Sequence, residues 1–241
     1  MLNVTHAGYA EPRVDASAIS LAVSTVIFAL RPQPQTGALT LWIPLVRRIR
    51  HPHLGQWALP GGPLNAEDDL AEAAHRTLRD TTTVIPKYLE QLYAFGTVDR
   101  SPGDRVVSIV YWALVESADA KATSDSDNVR LFEADSVPRL AFDHNTIIEY
   151  ALWRLRTKLE YTRIAHVFLG ETFTLAQLRE VHEAVLGRTL DPANFRRTVE
   201  ASDTVVPTNV RLAGTRHRPP RLYRSVDKPN REPYPNQESV P

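Results

Sequence analysis

One short frame constrains this chain more than any other. It reads Leu59-Pro60-Gly61-Gly62, five residues, Asp68, seven residues, then Arg76-Thr77-Leu78-Arg79-Asp80-Thr81-Thr82-Thr83-Val84. The glycine pair allows φ > 0 and close approach to neighbouring backbone. The run from Glu67 to Thr82 sets Leu70, Ala74 and Leu78 at helical spacing, as an amphipathic helix requires. A tight loop feeding such a helix must rest on an apolar support.

The flanking sequence supplies strands for that support. Ser20 to Arg31 is rich in Val, Ile, Phe and Leu and predicts a buried strand. After the turn Pro32 to Gly37, Ala38 to Arg47 predicts a second strand, paired to the first as a hairpin. Pro44 lacks an N–H and favours an edge or bulge there. Leu89 to Asp99 and Val106 to Val115 predict two more strands around a turn at Arg100 to Arg105. Glu116 to Asn128 is expected as an exposed loop, and Arg130 to Ala134 as a short closing strand. From Asn145 to Tyr161, Ile148, Leu152, Leu155 and Leu159 recur at helical spacing and predict a long linking helix.

Composition narrows the class. The apolar fraction of 43% and charged fraction of 23% are those of a globular protein. Cysteine is absent, which excludes disulfides and thiolate metal sites and fits a reducing compartment. The apolar run Ile19 to Leu30 is too short to cross a bilayer and has no basic segment before it, so a cytoplasmic location without membrane contact is expected. Formal net charge is zero, so any nucleic-acid footprint must come from uneven distribution of charge.

The frame at 62–84 resembles the Nudix box: Gly, five residues, Glu, seven residues, then Arg-Glu-aliphatic-x-Glu-Glu-x-Gly-aliphatic. In Nudix enzymes, the resemblance implies, carboxylates on one helix face hold divalent metal beside a pyrophosphate. Here Thr77, Asp80 and Thr81 stand at the three glutamate positions and Thr83 at the glycine. Hard cations need several oxygen ligands, and one carboxylate does not hold a catalytic metal pair. The expectation is therefore a non-enzyme with no metal and no cofactor. Arg76 survives, and its planar fork suits phosphate. Arg47, Arg48, Trp57 and the Leu-Pro-Gly-Gly stretch stand in the order found in ADP-ribose-handling Nudix proteins. That likeness gives Arg47, Arg48, Trp57, Gly61 and Gly62 as candidate effector-binding residues, the box adds Arg76 and Asp80, and Asp99-Arg100 with Val106-Val107-Ser108, which resembles a hairpin of a Nudix transcription-factor subfamily, adds Arg100. Plainer alternatives stay open: Trp57 as core packing, Arg47 and Arg48 as a solvated strand end, Arg100 as a solvated turn residue. His144 reads as a locally bonded helix-start residue and not a metal ligand.

The second half has a different character. Thr174-Leu175-Ala176-Gln177 fits a capping box, Leu175, Leu178, Val181 and Val185 form a stripe, and Gly187 suits a C-cap. Asp191-Pro192 then starts another helix, with Asp as N-cap and Pro at the first helical position. Two helices joined by a Gly-containing turn form a helix-turn-helix. On the second helix Phe195 and Val199 point inward, Arg197 points outward, and Ala193, Asn194, Arg196 and Glu200 flank it. Arg, Asn and Glu are side chains that read base edges in a major groove, although an ordinary solvated face would look similar. Val205 to Val210 predicts a strand broken at Pro207. From Asn209 to Val226 there is no acidic residue, while Arg211, Arg216, Arg218, Arg221 and Arg224 are present. A basic hairpin after a helix-turn-helix reads as a wing that meets phosphates or a narrow minor groove. Candidate DNA-binding residues are Thr174, Ala193, Asn194, Arg196, Arg197, Arg211, Thr215, Arg216, His217 and Arg218.

Together these stretches resemble the Nudix-related transcriptional regulators of bacterial NAD metabolism, the NrtR family. The residues that carry the likeness are the altered box, Leu140-Ala141-Phe142-Asp143-His144, Phe173-Thr174-Leu175, Leu178-Arg179, Asn194-Phe195-Arg196-Arg197 and Pro220-Arg221-Leu222-Tyr223. The resemblance implies an α+β chain: an N-terminal Nudix-like α/β/α sandwich with a mixed sheet, then a C-terminal winged helix-turn-helix. Expected boundaries are a flexible arm at 1–16, an effector-sensing domain at 17–143, a linker helix and DNA-binding domain at 144–226, and a disordered tail at 227–241. It further implies a homodimeric repressor of NAD-synthesis or salvage genes that binds palindromic double-stranded operator DNA and senses ADP-ribose or a related NAD metabolite. Two rivals remain: an active Nudix hydrolase whose second domain only dimerises, and an adaptor whose basic hairpin meets an acidic protein.

Overall fold

The computed structural model describes residues 19–82, 86–115, 128–161, 164–211 and 219–226. The expected arm, the loop after Val115, the wing tip at 212–218 and the tail lie outside the described residues.

The support is one mixed sheet. Its path is β3-β2-β1-β6-β5, where β1 is Ser20–Pro32, β2 Leu39–Arg47, β3 Trp57–Ala58, β5 Tyr88–Phe95 and β6 Val106–Val115. β4 (Gly61–Pro63) pairs with β1, and β7 (Val129–Glu133) with β2. Among the described residues only β1 and β6 run parallel, from Ser20↔Val106 to Ala29↔Val115. The strand at Ser20 runs one residue further than expected, and β5 ends at Phe95 instead of Asp99.

Pro44 neither ends nor bulges β2, whose register with β7 is unbroken from Trp42 to Val46. On its other side β2 pairs with β1 up to Trp42 and with β3 from Val46. Pro44 therefore falls in the gap between two partners.

β1 is buried on both faces, because successive side chains alternate across a strand. Val23, Ile27 and Ala29 meet Ala73, Ala74 and Leu78 of α1 (Leu70–Thr82). Val26, Phe28 and Leu30 meet Ile147, Ile148, Ala151 and Leu155 of α2 (His144–Tyr161). Two helices on opposite faces of one sheet make the α/β/α sandwich.

The C-terminal half is a winged helix. α3 (Leu175–Leu186) carries the full capping box: Gln177 N–H donates to Thr174 Oγ1 at 3.1 Å, and Thr174 N–H to Gln177 Oε1 at 2.8 Å. It closes on Gly187 at φ 66°. α4 (Pro192–Glu200) is capped by Asp191, whose Oδ1 accepts from Asn194 N–H at 2.8 Å. β8 (Val205–Arg211) pairs with β9 (Arg221–Ser225) through Pro207, and the register shifts only after it. Leu178, Val181, Val185, Val199, Val205 and Tyr223 join the same apolar cluster as Phe28, Ile43 and Leu155. The helix pair is thus packed onto the sandwich, and Arg156 of α2 donates to Val185 O of α3 at 2.9 Å. Among the described residues no helix is long and apolar enough to cross a membrane.

Candidate functional site

The loop before α1 is built by side chains remote in sequence. Leu59 N–H donates to His144 Nδ1 at 2.9 Å. Ala141 N–H donates to Trp57 O at 2.8 Å. Arg100 forks onto Asp143 at 2.7 and 3.0 Å, with only 5% of its side chain exposed. Phe142, at φ 56°, packs beneath the Arg48 guanidinium at 4.6 Å and against His53 at 4.7 Å. Residues 140–144 therefore tie together the loop after β2, the glycine loop, the turn before β6 and the start of α2.

Electrostatics follow from that burial. His144 is pushed down to about 4, first by desolvation and then by the nearby Arg100 and Arg48 charges, against an opposing pull from Asp143. A neutral imidazole is what lets Nδ1 accept from Leu59 N–H. The bond spans 85 positions, so the local bond expected at the helix start is replaced by a tertiary one. Partial burial lowers the Arg48 guanidinium from its usual value.

The candidate effector residues fall into two groups. Arg48, Trp57, Gly61 and Gly62 gather around the loop. Arg48 donates to Pro52 O at 2.8 Å, and Arg47 is exposed and donates to Gly55 O at 3.3 Å. Trp57 is half-buried, edge-on to Phe132 at 5.2 Å, so core packing accounts for much of it. Neither Gly61 nor Gly62 takes positive φ. Gly61 serves close approach instead: a Cβ there would lie 2.6 Å from Val23 O.

The other group is committed elsewhere. Arg76 donates to Asp68 at 2.7 Å, so the fork expected to face phosphate neutralises the other charged position of the frame. That carboxylate also takes Asn65 Nδ2 at 2.7 Å, which keeps residues 65–69 outside the helix and starts α1 at Leu70, not Glu67. Arg76 and Asn65 hold the Asp68 carboxyl below its usual range. Asp80 is exposed near the end of α1, and the Thr81 hydroxyl donates back to Thr77 O at 2.7 Å. Arg100 is not a solvated turn residue but a buried one, paired with Asp143. Sequence reasoning noted Asp143 and His144 without giving them this work. The available signal was an Asp and a His beside Phe142 at the start of a helix. A groove of about 520 Å³ lies elsewhere, between α2 and residues 134–137.

On the winged helix, Ala193, Asn194, Arg196 and Arg197 are all exposed on the first turns of α4. Arg197 donates to Asn194 Oδ1 at 3.1 Å, which holds the two side chains together. Glu200 is occupied by Arg196 at 3.1 Å and by the Tyr223 hydroxyl at 2.9 Å, so it joins α4 to β9 instead of facing outward alone. Arg196 and Tyr223 lower the Glu200 carboxyl. Thr174 is 6% exposed with its hydroxyl engaged in the cap, so it offers no free donor to DNA. Arg211 is exposed at the base of the wing. Thr215, Arg216, His217 and Arg218 lie outside the described residues.

The NUDIX domain family matches residues 21–151, and the NrtR DNA-binding winged helix domain family matches residues 166–225. An ADPR responsive transcriptional repressor of Acinetobacter baylyi is 35% identical over 191 residues, covering 76% of this chain and 75% of that protein. The chain belongs to the NrtR family. Its fold is that of NrtR from Shewanella oneidensis in complex with a 27mer DNA, at 35% identity and a TM-score of 0.71, covering 86% and 93% of the two chains. An ADP-ribose pyrophosphatase of Methanocaldococcus jannaschii is also 35% identical, over 111 residues: 46% of this chain and 66% of that enzyme. The likeness to the enzyme is therefore partial, while likeness to NrtR proteins spans both halves.

Proposed function

We propose that this chain is an ADP-ribose-responsive, DNA-binding repressor of NAD-synthesis or salvage genes. The observation that carries the reading is the pairing of an altered Nudix box with a capped reading helix whose Asn194, Arg196 and Arg197 stand clear of the core. In such motifs the N-terminal part of the second helix meets base edges, and basic hairpins meet phosphates. Arg197 and Asn194 read bases; Arg196 and Arg211 hold the backbone.

Arg48, Arg47 and the backbone of residues 59–62 receive ADP-ribose, with the fork of Arg48 toward the pyrophosphate. The chain acts as a homodimer on a palindromic operator, with reading helices about one helical turn apart. ADP-ribose favours an arrangement with the wrong spacing and releases DNA, which requires unequal affinity for the two arrangements.

The partial match to an ADP-ribose pyrophosphatase favours a second reading, hydrolysis. Thr77 and Thr81 oppose it, because they leave Asp80 as the one carboxylate at the three positions where the family carries glutamate.

Selection of bound duplexes from a random pool tests the proposal. A recovered palindrome, bound with a steep salt dependence and weakened by Arg197→Ala, supports it. Absence of any preferred duplex overturns it.

A further inference from the structure

α3 ends on an arrangement that the helix alone does not favour. Glu183 sits in its last turn, where the carbonyl end of the helix dipole opposes a carboxylate. Its ion-pair partner Arg179, at 2.8 Å, stands four residues earlier, the weaker order for such a pair on a helix. The cation that suits this helix end comes from outside, since Arg156 donates to Val185 O at 2.9 Å. A placement that local helix chemistry opposes points to work done elsewhere.

That work is on the turn before α4. Glu183 Oε1 accepts from Leu190 N–H at 2.7 Å, across seven positions. Arg179 Nη1, which donates to the same carboxylate oxygen, also reaches Leu190 O at 3.4 Å. Both polar groups of the Leu190 backbone are thus held by side chains of α3. Leu190 directly precedes Asp191, whose Oδ1 accepts from Asn194 N–H. α4 has little apolar footing of its own. Val199 is buried near its end, and Phe195 is half-buried, edge-on to His182 of α3 at 5.1 Å. Leu178 O accepts from His182 Nδ1 at 2.9 Å, so that ring is fixed as well. The start of the reading helix is set by one charged grip and one ring contact.

We infer that Glu183, steadied by Arg179, is a positioning residue for base reading. It holds Leu190, and through Leu190 the angle at which Asn194 and Arg197 are presented to a duplex. This rests on the DNA-binding reading above and adds residues that touch no base. The two-point hydrogen bonds by which Arg and Asn distinguish bases need both side chains in place. Contacts to phosphate carry no sequence information. Loosening Leu190 therefore costs sequence preference and spares general affinity.

Glu183→Ala and Glu183→Gln, each in the full chain, test the inference. The duplex recovered from selection and a scrambled duplex are titrated with each at fixed salt. Both variants remove one negative charge, so a difference between them reports the acceptor that glutamine keeps for Leu190 N–H. Glu183→Gln is expected to stay within about threefold of the wild-type preference. Glu183→Ala is expected to fall about tenfold or more below it, the worth of one two-point base contact. Affinity for the scrambled duplex, and its salt slope, should match in the two variants. If circular dichroism shows that Glu183→Ala does not fold, Arg179→Ala carries the test. It leaves the carboxylate unsteadied and is expected to lower the preference about threefold or more. Equal preference in the alanine and glutamine variants, equal loss on both duplexes, or an undiminished preference in Arg179→Ala overturns the inference and leaves DNA reading standing. A wild type that prefers no duplex overturns the DNA-binding reading itself.

Discussion

Replacing His144 with Asn should flatten the acid side of the stability curve. In the folded chain His144 is 6% exposed and titrates at about 4; once unfolded it titrates near 6.5. Above 6.5 both states are neutral and the group costs nothing. As pH falls below 6.5 the unfolded chain takes up a proton that the folded chain refuses, and stability drops until about pH 4. The whole effect is about 3 kcal/mol, of which about 1.4 kcal/mol is already lost at pH 5.5. Asn keeps an acceptor for Leu59 N–H and cannot titrate. Urea unfolding at pH 7.5 and 5.5, followed by tryptophan fluorescence, measures the difference for each protein. His182 is also pushed down by burial, but it is common to both proteins and cancels. Wild type should lose about 1.4 kcal/mol more than His144→Asn between the two pH values. Parallel losses would refute the claim that a buried neutral imidazole holds the loop.

Other substitutions probe the remaining contacts. Asp143→Asn strands the Arg100 guanidinium, whose side chain is 5% exposed; a loss of about 3 kcal/mol is expected in the same unfolding assay. Gly61→Ala drives a Cβ to 2.6 Å from Val23 O. It should cost about 1–3 kcal/mol and weaken ADP-ribose binding by calorimetry, since the loop must leave β1. Thr174→Ala removes the cap of α3 and should cost about 1 kcal/mol. Its DNA affinity at fixed salt should stay near wild type, because the hydroxyl faces the helix and not solvent.

Local chemistry made much of this fold readable in advance. The capping box of Thr174 and Gln177, the stop at Gly187 and the start at Asp191-Pro192 depend on neighbours a few residues away, and the structure keeps all of them. The strands were legible because β1 and β6 are apolar on both faces. Pairings made across the fold were not legible. Nothing near Arg100 in sequence announces Asp143, and nothing near Arg76 indicates that Asp68 takes its fork before a phosphate can. Glu200 looked like a free base-reading group because Tyr223, its partner on β9, is distant in the chain. Thr174 likewise follows Phe173, whose backbone bridges to Tyr223 on β9, a partner distant in the chain.

Operator affinity in the presence and absence of ADP-ribose, with the nucleotide assayed afterwards in the same tube, tests the central claim most directly. The account predicts that saturating ADP-ribose, with Mg²⁺ present and salt held constant, releases the duplex while the nucleotide is recovered intact. Unchanged affinity, or rapid conversion of ADP-ribose to AMP, would contradict it.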